Sequence, residues 1–137
     1  MGLTHLDAGV VIGFLDASDA HHESAARALA DAVRSGHRLA MAASAFAECL
    51  VGPSRRGGRA VQTVDELFVR LPIEIIDLDG DTARLAAALR AKHRALRLPD
   101  ALVIAVAART SADRLITTDR GWPTARKLGL SATITVL

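Results

Sequence analysis

Four acidic residues stand where carboxylates can do more than solubilise a surface: Asp7, Glu48, Asp100 and Asp119. Asp7 and Asp119 each close an apolar run that reads as a short strand, Leu3 to Leu6 and Leu115 to Thr118. Glu48 follows Ser44 in an apolar stretch and Asp100 follows Pro99 at the head of another, so both are expected in the first turn of a helix. Each has a purely structural reading when taken alone. A first-turn carboxylate complements the helix dipole by roughly 0.3 to 1 kcal/mol, and an Asp at a strand end commonly starts a turn. Gathered at one rim, however, four carboxylates repel one another and raise their own pKa values unless a cation is present. An all-oxygen donor set selects hard ions such as Mg²⁺, with Mn²⁺ able to substitute, over zinc. One such ion makes hydroxide from bound water, and a second about 3.5 to 4 Å away stabilises a leaving oxygen. That is the chemistry of phosphodiester hydrolysis, with water as nucleophile and 5′-phosphate and 3′-hydroxyl products.

The elements that must position these acids follow from periodicity. Strands are expected at Leu3 to Leu6, Arg38 to Ala42, Ile73 to Ile76, Leu115 to Thr118 and Ile134 to Val136, the last at a sheet edge. Between them lie a short buried helix after Asp7, a helix capped by Ser18-Asp19 that runs to Arg34, and a helix capped by Ser44 that ends at Gly52-Pro53. Ser54 to Arg59 reads as a flexible basic loop. It precedes a helix with Val61, Val64, Leu67, Phe68 and Leu71 in register, then an alanine-rich helix from Asp79 to about Leu96. The last helix opens at Pro99, and its run Ala101 to Ala107, apolar all round, must be buried. Alternating strands and helices predict one α/β domain over residues 1–137, a three-layer α/β/α sandwich on a mainly parallel sheet of four to five strands. In such sheets the functional crevice lies beyond the carboxyl ends of the strands.

Composition sets outer bounds. With 137 residues, half of them hydrophobic, the chain can bury a single core without disulfides. Cys49 has no partner cysteine, which suits a reducing compartment and predicts a cytoplasmic location. No apolar run approaches the roughly 20 residues that span a membrane, and the first residues lack the pattern of a signal peptide. Seventeen basic against fifteen acidic residues give a net charge of +2, compatible with a polyanionic partner without requiring one.

The ordered set His5-Leu6-Asp7, Ser44-Ala45-Phe46-Ala47-Glu48-Cys49-Leu50, Leu98-Pro99-Asp100-Ala101-Leu102 and Leu115-Ile116-Thr117-Thr118-Asp119-Arg120 resembles the PIN domain. Within that family it is similar to the VapC-like toxin ribonucleases of prokaryotic toxin–antitoxin pairs. The resemblance implies a magnesium-dependent endoribonuclease with one or two ions at the four acids, a structured RNA substrate such as transfer or ribosomal RNA, a homodimer and a cognate antitoxin. It also implies that Thr118 hydrogen-bonds within the cluster, and that Trp122 stands where the family often has Phe. The chain departs from the family at Gly9, where a Ser, Thr or Asn is usual two residues after the first Asp.

Arg55, Arg56 and Arg59 in the basic loop, together with Arg120, are candidate RNA contacts, with further charge at Arg94, Arg97, Arg126 and Lys127. Their alternative is solvated surface charge. Aromatics make up only 3% of the chain, so platforms for stacking single-stranded bases are scarce. Two rival readings stand beside the nuclease. Gly9 keeps open a non-catalytic RNA- or protein-binding module. Ile75-Ile76-Asp77-Leu78-Asp79-Gly80-Asp81 looks like the first motif of haloacid dehalogenase-type phosphatases, although fewer than 60 residues follow it. The simpler account of Asp79 and Asp81 is a helix cap. His21, His22 and His93 are expected to be solvated, and Cys49 to pack in the core.

Overall fold

A computed structural model describes all of residues 1–137. Five strands, β1 (Leu3–Leu6), β2 (Arg38–Ala42), β3 (Ile73–Ile76), β4 (Arg114–Thr117) and β5 (Thr133–Val136), form one sheet in the order β3-β2-β1-β4-β5. Every neighbouring pair is parallel. The seven helices are α1 (Ala8–Leu15), α2 (His22–Arg34), α3 (Ala43–Arg56), α4 (Gly58–Arg70), α5 (Gly80–Lys92), α6 (Leu98–Arg109) and α7 (Ala125–Leu128). Starting at β1 the chain steps outward to β2 and β3, then returns to the other side of β1 for β4 and β5. Right-handed crossovers therefore place α1 to α4 on one face and α5 to α7 on the other, the expected three-layer arrangement. The reversal puts the topological switch point between β1 and β4, and the crevice of such a sheet opens at that place.

The three inner strands carry the core. All of β1 is buried, as are Leu39 to Ala42 of β2 and Leu115 to Thr117 of β4. Ala101 and Val103 to Ala107 of α6 are buried with them, so the helix that reads as apolar all round is enclosed. A fully buried Leu or Ile such as Leu6 or Ile116 contributes about 1.5 to 3 kcal/mol, and this interior fixes the backbone from which the rim side chains project.

Several local expectations need correction. Ser54 to Arg59 is not a loop: α3 runs through Pro53 to Arg56, only Gly57 intervenes, and α4 begins at Gly58. Pro53 is buried within α3, and the break falls where Gly57 takes φ 120°, a conformation that favours glycine. Ala42, not Ser44, occupies the N-cap of α3, so Glu48 lies in its second turn rather than its first. The helix after Asp19 starts only at His22, because Asp19 Oδ1 accepts from His21 N at 2.8 Å and holds a turn there. His22 is half-buried, stacked on Phe14 and bonded to the Gly13 carbonyl at 3.0 Å, while His93 Nε2 is buried, so neither is a solvated side chain.

Two polar residues sit inside the central strand. Thr4 Oγ1 meets His37 Nδ1 at 2.8 Å, and His5 Nε2 meets Thr110 Oγ1 at 2.9 Å. His5 is fully buried with Nδ1 unpartnered, and burial pushes its pKa from 6.5 down to about 4. The unfolded chain therefore binds a proton first as pH falls. Stability conferred by neutral His5 is complete above pH 6.5 and is lost between 6.5 and 4, on the order of 3 kcal/mol in all. Asp7 and Asp100, with raised pKa values, act in the opposite sense, so the His5 contribution is read as a difference. Urea unfolding at pH 7 and pH 5 should show a larger loss for the wild type than for His5→Gln; equal losses would exclude this linkage.

Candidate active site

The inner edge of the rim is built by the ends of β1 and β4. Leu6 pairs with Ile116, and the next residue, Asp7, donates its N–H to the Ile116 carbonyl at 2.9 Å. Asp7 is also the N-cap of α1. Its Oδ1 accepts from Ala8 N at 2.9 Å, and its Oδ2 accepts from the Thr117 hydroxyl at 2.7 Å. The same hydroxyl accepts from Asp119 N at 3.1 Å, so one buried side chain latches both strand-end acids. Asp119 in turn accepts from Gly121 N through Oδ1 at 2.8 Å.

Asp100 enters from α6, where it lies in the first turn and is buried despite its charge. Arg97, the N-cap residue of α6, sets its Nε 3.5 Å from Asp100 Oδ2. The Trp122 indole, half-buried against the core, also lowers the pKa of Asp100, although its Nε1–H closes no hydrogen bond. Glu48 reaches the rim from α3 and is the most solvent-exposed of the three acids whose pKa is raised.

The electrostatics show that all four acids share one neighbourhood. Burial raises the pKa of Asp7, and the charges of Asp100 and Asp119 raise it further, against the lowering hydrogen bonds from Thr117 and Ala8. Glu48 is raised by burial and then by Asp7 and Asp100, and Asp100 by burial and then by Asp119, against Arg97. No histidine figures among the groups that shift these three carboxyls. As the side chains stand, no three His, Cys, Asp or Glu groups converge closely enough to hold an ion. Their oxygens are instead engaged by Ala8 N, Thr117, Gly121 N and Arg97. The donor set is nevertheless all carboxylate and mutually repelling, a chemistry that fits a hard divalent cation.

Thr118, expected to bond within the cluster, makes no side-chain hydrogen bond there; Thr117 does. β4 ends at Thr117 and the chain bends at Thr118, so the Thr117 hydroxyl, still in strand register, meets Asp7 while Thr118 is turned onto α1. The Thr118 hydroxyl lies over Gly9 so closely that a Cβ at residue 9 would collide with it. Arg55 and Arg56 are exposed on the last turn of α3 and Arg59 on the first turn of α4, while Arg120 is exposed beside Asp119. Between α1 and α3 a groove of about 600 Å³ runs from Glu48 past Ile12, Leu15 and Val51 to Asp16 and Arg56. Cys49 is buried beneath it, with Sγ 3.8 Å from the Ala8 carbonyl and its thiol pushed up to about 12, which leaves it inert. Asp79 behaves as a cap: it accepts from Thr82 N at 2.8 Å and Thr82 Oγ1 at 2.7 Å at the start of α5.

Comparison with known proteins places this geometry. The model of the PIN domain family matches residues 5–128. No curated protein matches significantly. Among solved structures, a VapBC complex from Rickettsia felis bound to a promoter DNA fragment is 17% identical, with 98% of each chain covered and a TM-score of 0.70. A sarcin–ricin-loop-cleaving VapC toxin of Mycobacterium tuberculosis is 18% identical over 82% of this chain and 86% of that one, with a TM-score of 0.66. A VapBC structure from nontypeable Haemophilus influenzae is 15% identical over 98% and 97%, with a TM-score of 0.70. At these identities the likeness is one of fold.

Because burial and the neighbouring acids disfavour a charged Asp7 in the folded state, Asp7→Asn should raise the Tm measured in chelator. Thr117→Val should act oppositely, costing about 1 to 3 kcal/mol by stranding Asp7 Oδ2 and Asp119 N. Thermal denaturation of the pair decides it; a lower Tm for Asp7→Asn would mean that the hydrogen bonds outweigh the repulsion.

Proposed function

The chain belongs to the PIN domain family, and we propose that it is a metal-dependent endoribonuclease, the toxin of a toxin–antitoxin pair, hydrolysing phosphodiester bonds in structured RNA. The observation that carries this reading is that Asp7, Glu48, Asp100 and Asp119, four acids from four segments, gather at the switch point between β1 and β4, where Thr117 ties Asp7 to the Asp119 backbone. A divalent ion, Mg²⁺ with Mn²⁺ as substitute, would supply an activated water and charge stabilisation at the scissile phosphate. Asp7 and Asp100, the two buried acids, would be its direct ligands. Asp119 and Glu48, more open to solvent, would reach it directly or through water.

Thr117 keeps Asp7 oriented through its hydrogen bond to Oδ2. Water adds to phosphorus, the ribose 3′ oxygen departs and takes up a proton, and the products carry a 5′-phosphate and a 3′-hydroxyl. Arg120 stands beside Asp119, and Arg55, Arg56 and Arg59 cluster across the α3–α4 junction, positions suited to flanking phosphates. The partners that accompany this reading are an RNA substrate, an antitoxin protein and a second copy of the chain in a cytoplasmic homodimer. Ile12, Leu15 and Val51 are apolar side chains left exposed along one groove, consistent with a protein partner. No helix is long and apolar enough to cross a membrane.

Asp7→Asn, Asp100→Asn and Asp119→Asn should each lower RNA cleavage on the order of 100-fold or more, with the fold intact by circular dichroism. Chelator should abolish wild-type cleavage and added Mg²⁺ or Mn²⁺ restore it, with RNA cut in preference to DNA in parallel assays. Full activity in all three variants, or cleavage indifferent to chelator, would refute the assignment.

A further inference from the structure

Arg97 is the one cation among the groups that shift the pKa of Asp100 and Glu48, and its charge opposes ionisation-suppressing neighbours at both. Its guanidinium lies 3.5 Å from Asp100 Oδ2, yet the two ends of that pair differ sharply: the Arg97 side chain is 77% exposed and that of Asp100 only 11%. The cation therefore reaches over the site from the solvent side and closes no buried bond network. Its backbone serves a separate purpose, since the Arg97 carbonyl accepts from Ala101 N at 3.0 Å and starts α6 without help from the side chain. Leu98 and Pro99 follow at once, so the point from which the side chain swings is fixed by the helix.

Resting on the nuclease reading, we propose that Arg97 is an exchangeable counter-cation of this site, covering Asp100 when no metal is present and turning outward to hold an RNA phosphate when a divalent ion takes its place. Two cations cannot share the Asp100 carboxylate comfortably, because a doubly charged ion within a few ångströms of a guanidinium repels it. The divalent ion has the stronger claim on a cluster of anions. The displaced guanidinium stays at the rim, where its planar fork matches a phosphate as well as a carboxylate. One residue thus acts in opposite senses: it competes with the metal and assists the substrate.

That opposition gives a signature no merely structural role would produce. Calorimetric titration of MnCl₂ into Arg97→Met should show tighter binding than wild type, roughly two- to fivefold, the scale of an exposed ion pair removed. On a hairpin RNA that the wild type cleaves, the same variant at saturating Mn²⁺ should raise KM about tenfold with a smaller change in kcat, as expected for one lost charged contact. Arg97→Lys, which keeps the charge, should return both values most of the way to wild type. An unchanged or weaker Mn²⁺ affinity in Arg97→Met, or a KM equal to wild type, would overturn the exchange. Asp7→Asn serves as the reference: if it and the wild type took up Mn²⁺ alike, the nuclease reading itself would fall, and this inference with it.

Discussion

The hydroxyl of Thr117 holds the site together at the seam between two parallel strands. By donating to Asp7 Oδ2 and accepting from Asp119 N, it ties the first acid of the chain to the last. The register that allows this is set one step earlier, where Leu6 lies opposite Ile116 and Asp7 N–H reaches the Ile116 carbonyl. A parallel pair in the centre of a sheet cannot slip by a residue without sending every side chain to the opposite layer and parting Thr4 and His5 from His37 and Thr110. The closeness of Asp7 and Asp119 is therefore a consequence of core packing, and it persists although the two charges repel.

That repulsion is managed locally. Asp7 sits at the amino end of α1 and Asp100 in the first turn of α6, so each charge meets the positive end of a helix dipole. Hydrogen bonds from Ala8 N and Thr117 lower the pKa of Asp7, and Arg97 lowers that of Asp100, yet burial still leaves both raised. The site without a cation is thus held together by the surrounding fold against its own charge. A pocket in that condition gains more from a divalent ion than an exposed set of the same four acids would.

Much of this was legible in the residues. The five strands, their order in the chain and the enclosed α6 followed from periodicity and from where apolar runs stop. What escaped was governed by detail finer than pattern. Thr117 and Thr118 are chemically identical neighbours, and only the point at which β4 ends and the chain bends decides which hydroxyl faces Asp7. Pro53 reads as a helix stop, but α3 accommodates it in a buried turn and continues to Arg56, so the break waits for Gly57 and its positive φ. Arg97 looked like one surface cation among many, because nothing local distinguishes it from Arg94 until α6 is folded and Asp100 stands three residues away on the same face. His5 carried no signal at all, since a polar residue in a four-residue apolar strand breaks the pattern without saying whom it meets.

The departure at Gly9 shows how tightly these details interlock. A side chain at residue 9 and the hydroxyl of Thr118 would claim the same space at the first turn of α1, so the two positions are alternatives. Thr118 stands next to Thr117 on a strand whose register is fixed by the core, and its backbone cannot retreat without disturbing the latch on Asp7. Only rotation of the Thr118 side chain, or its loss, would make room. The glycine thus spares Thr118 that rotation, and the Thr118 hydroxyl stands beside the first turn of α1 from β4's end.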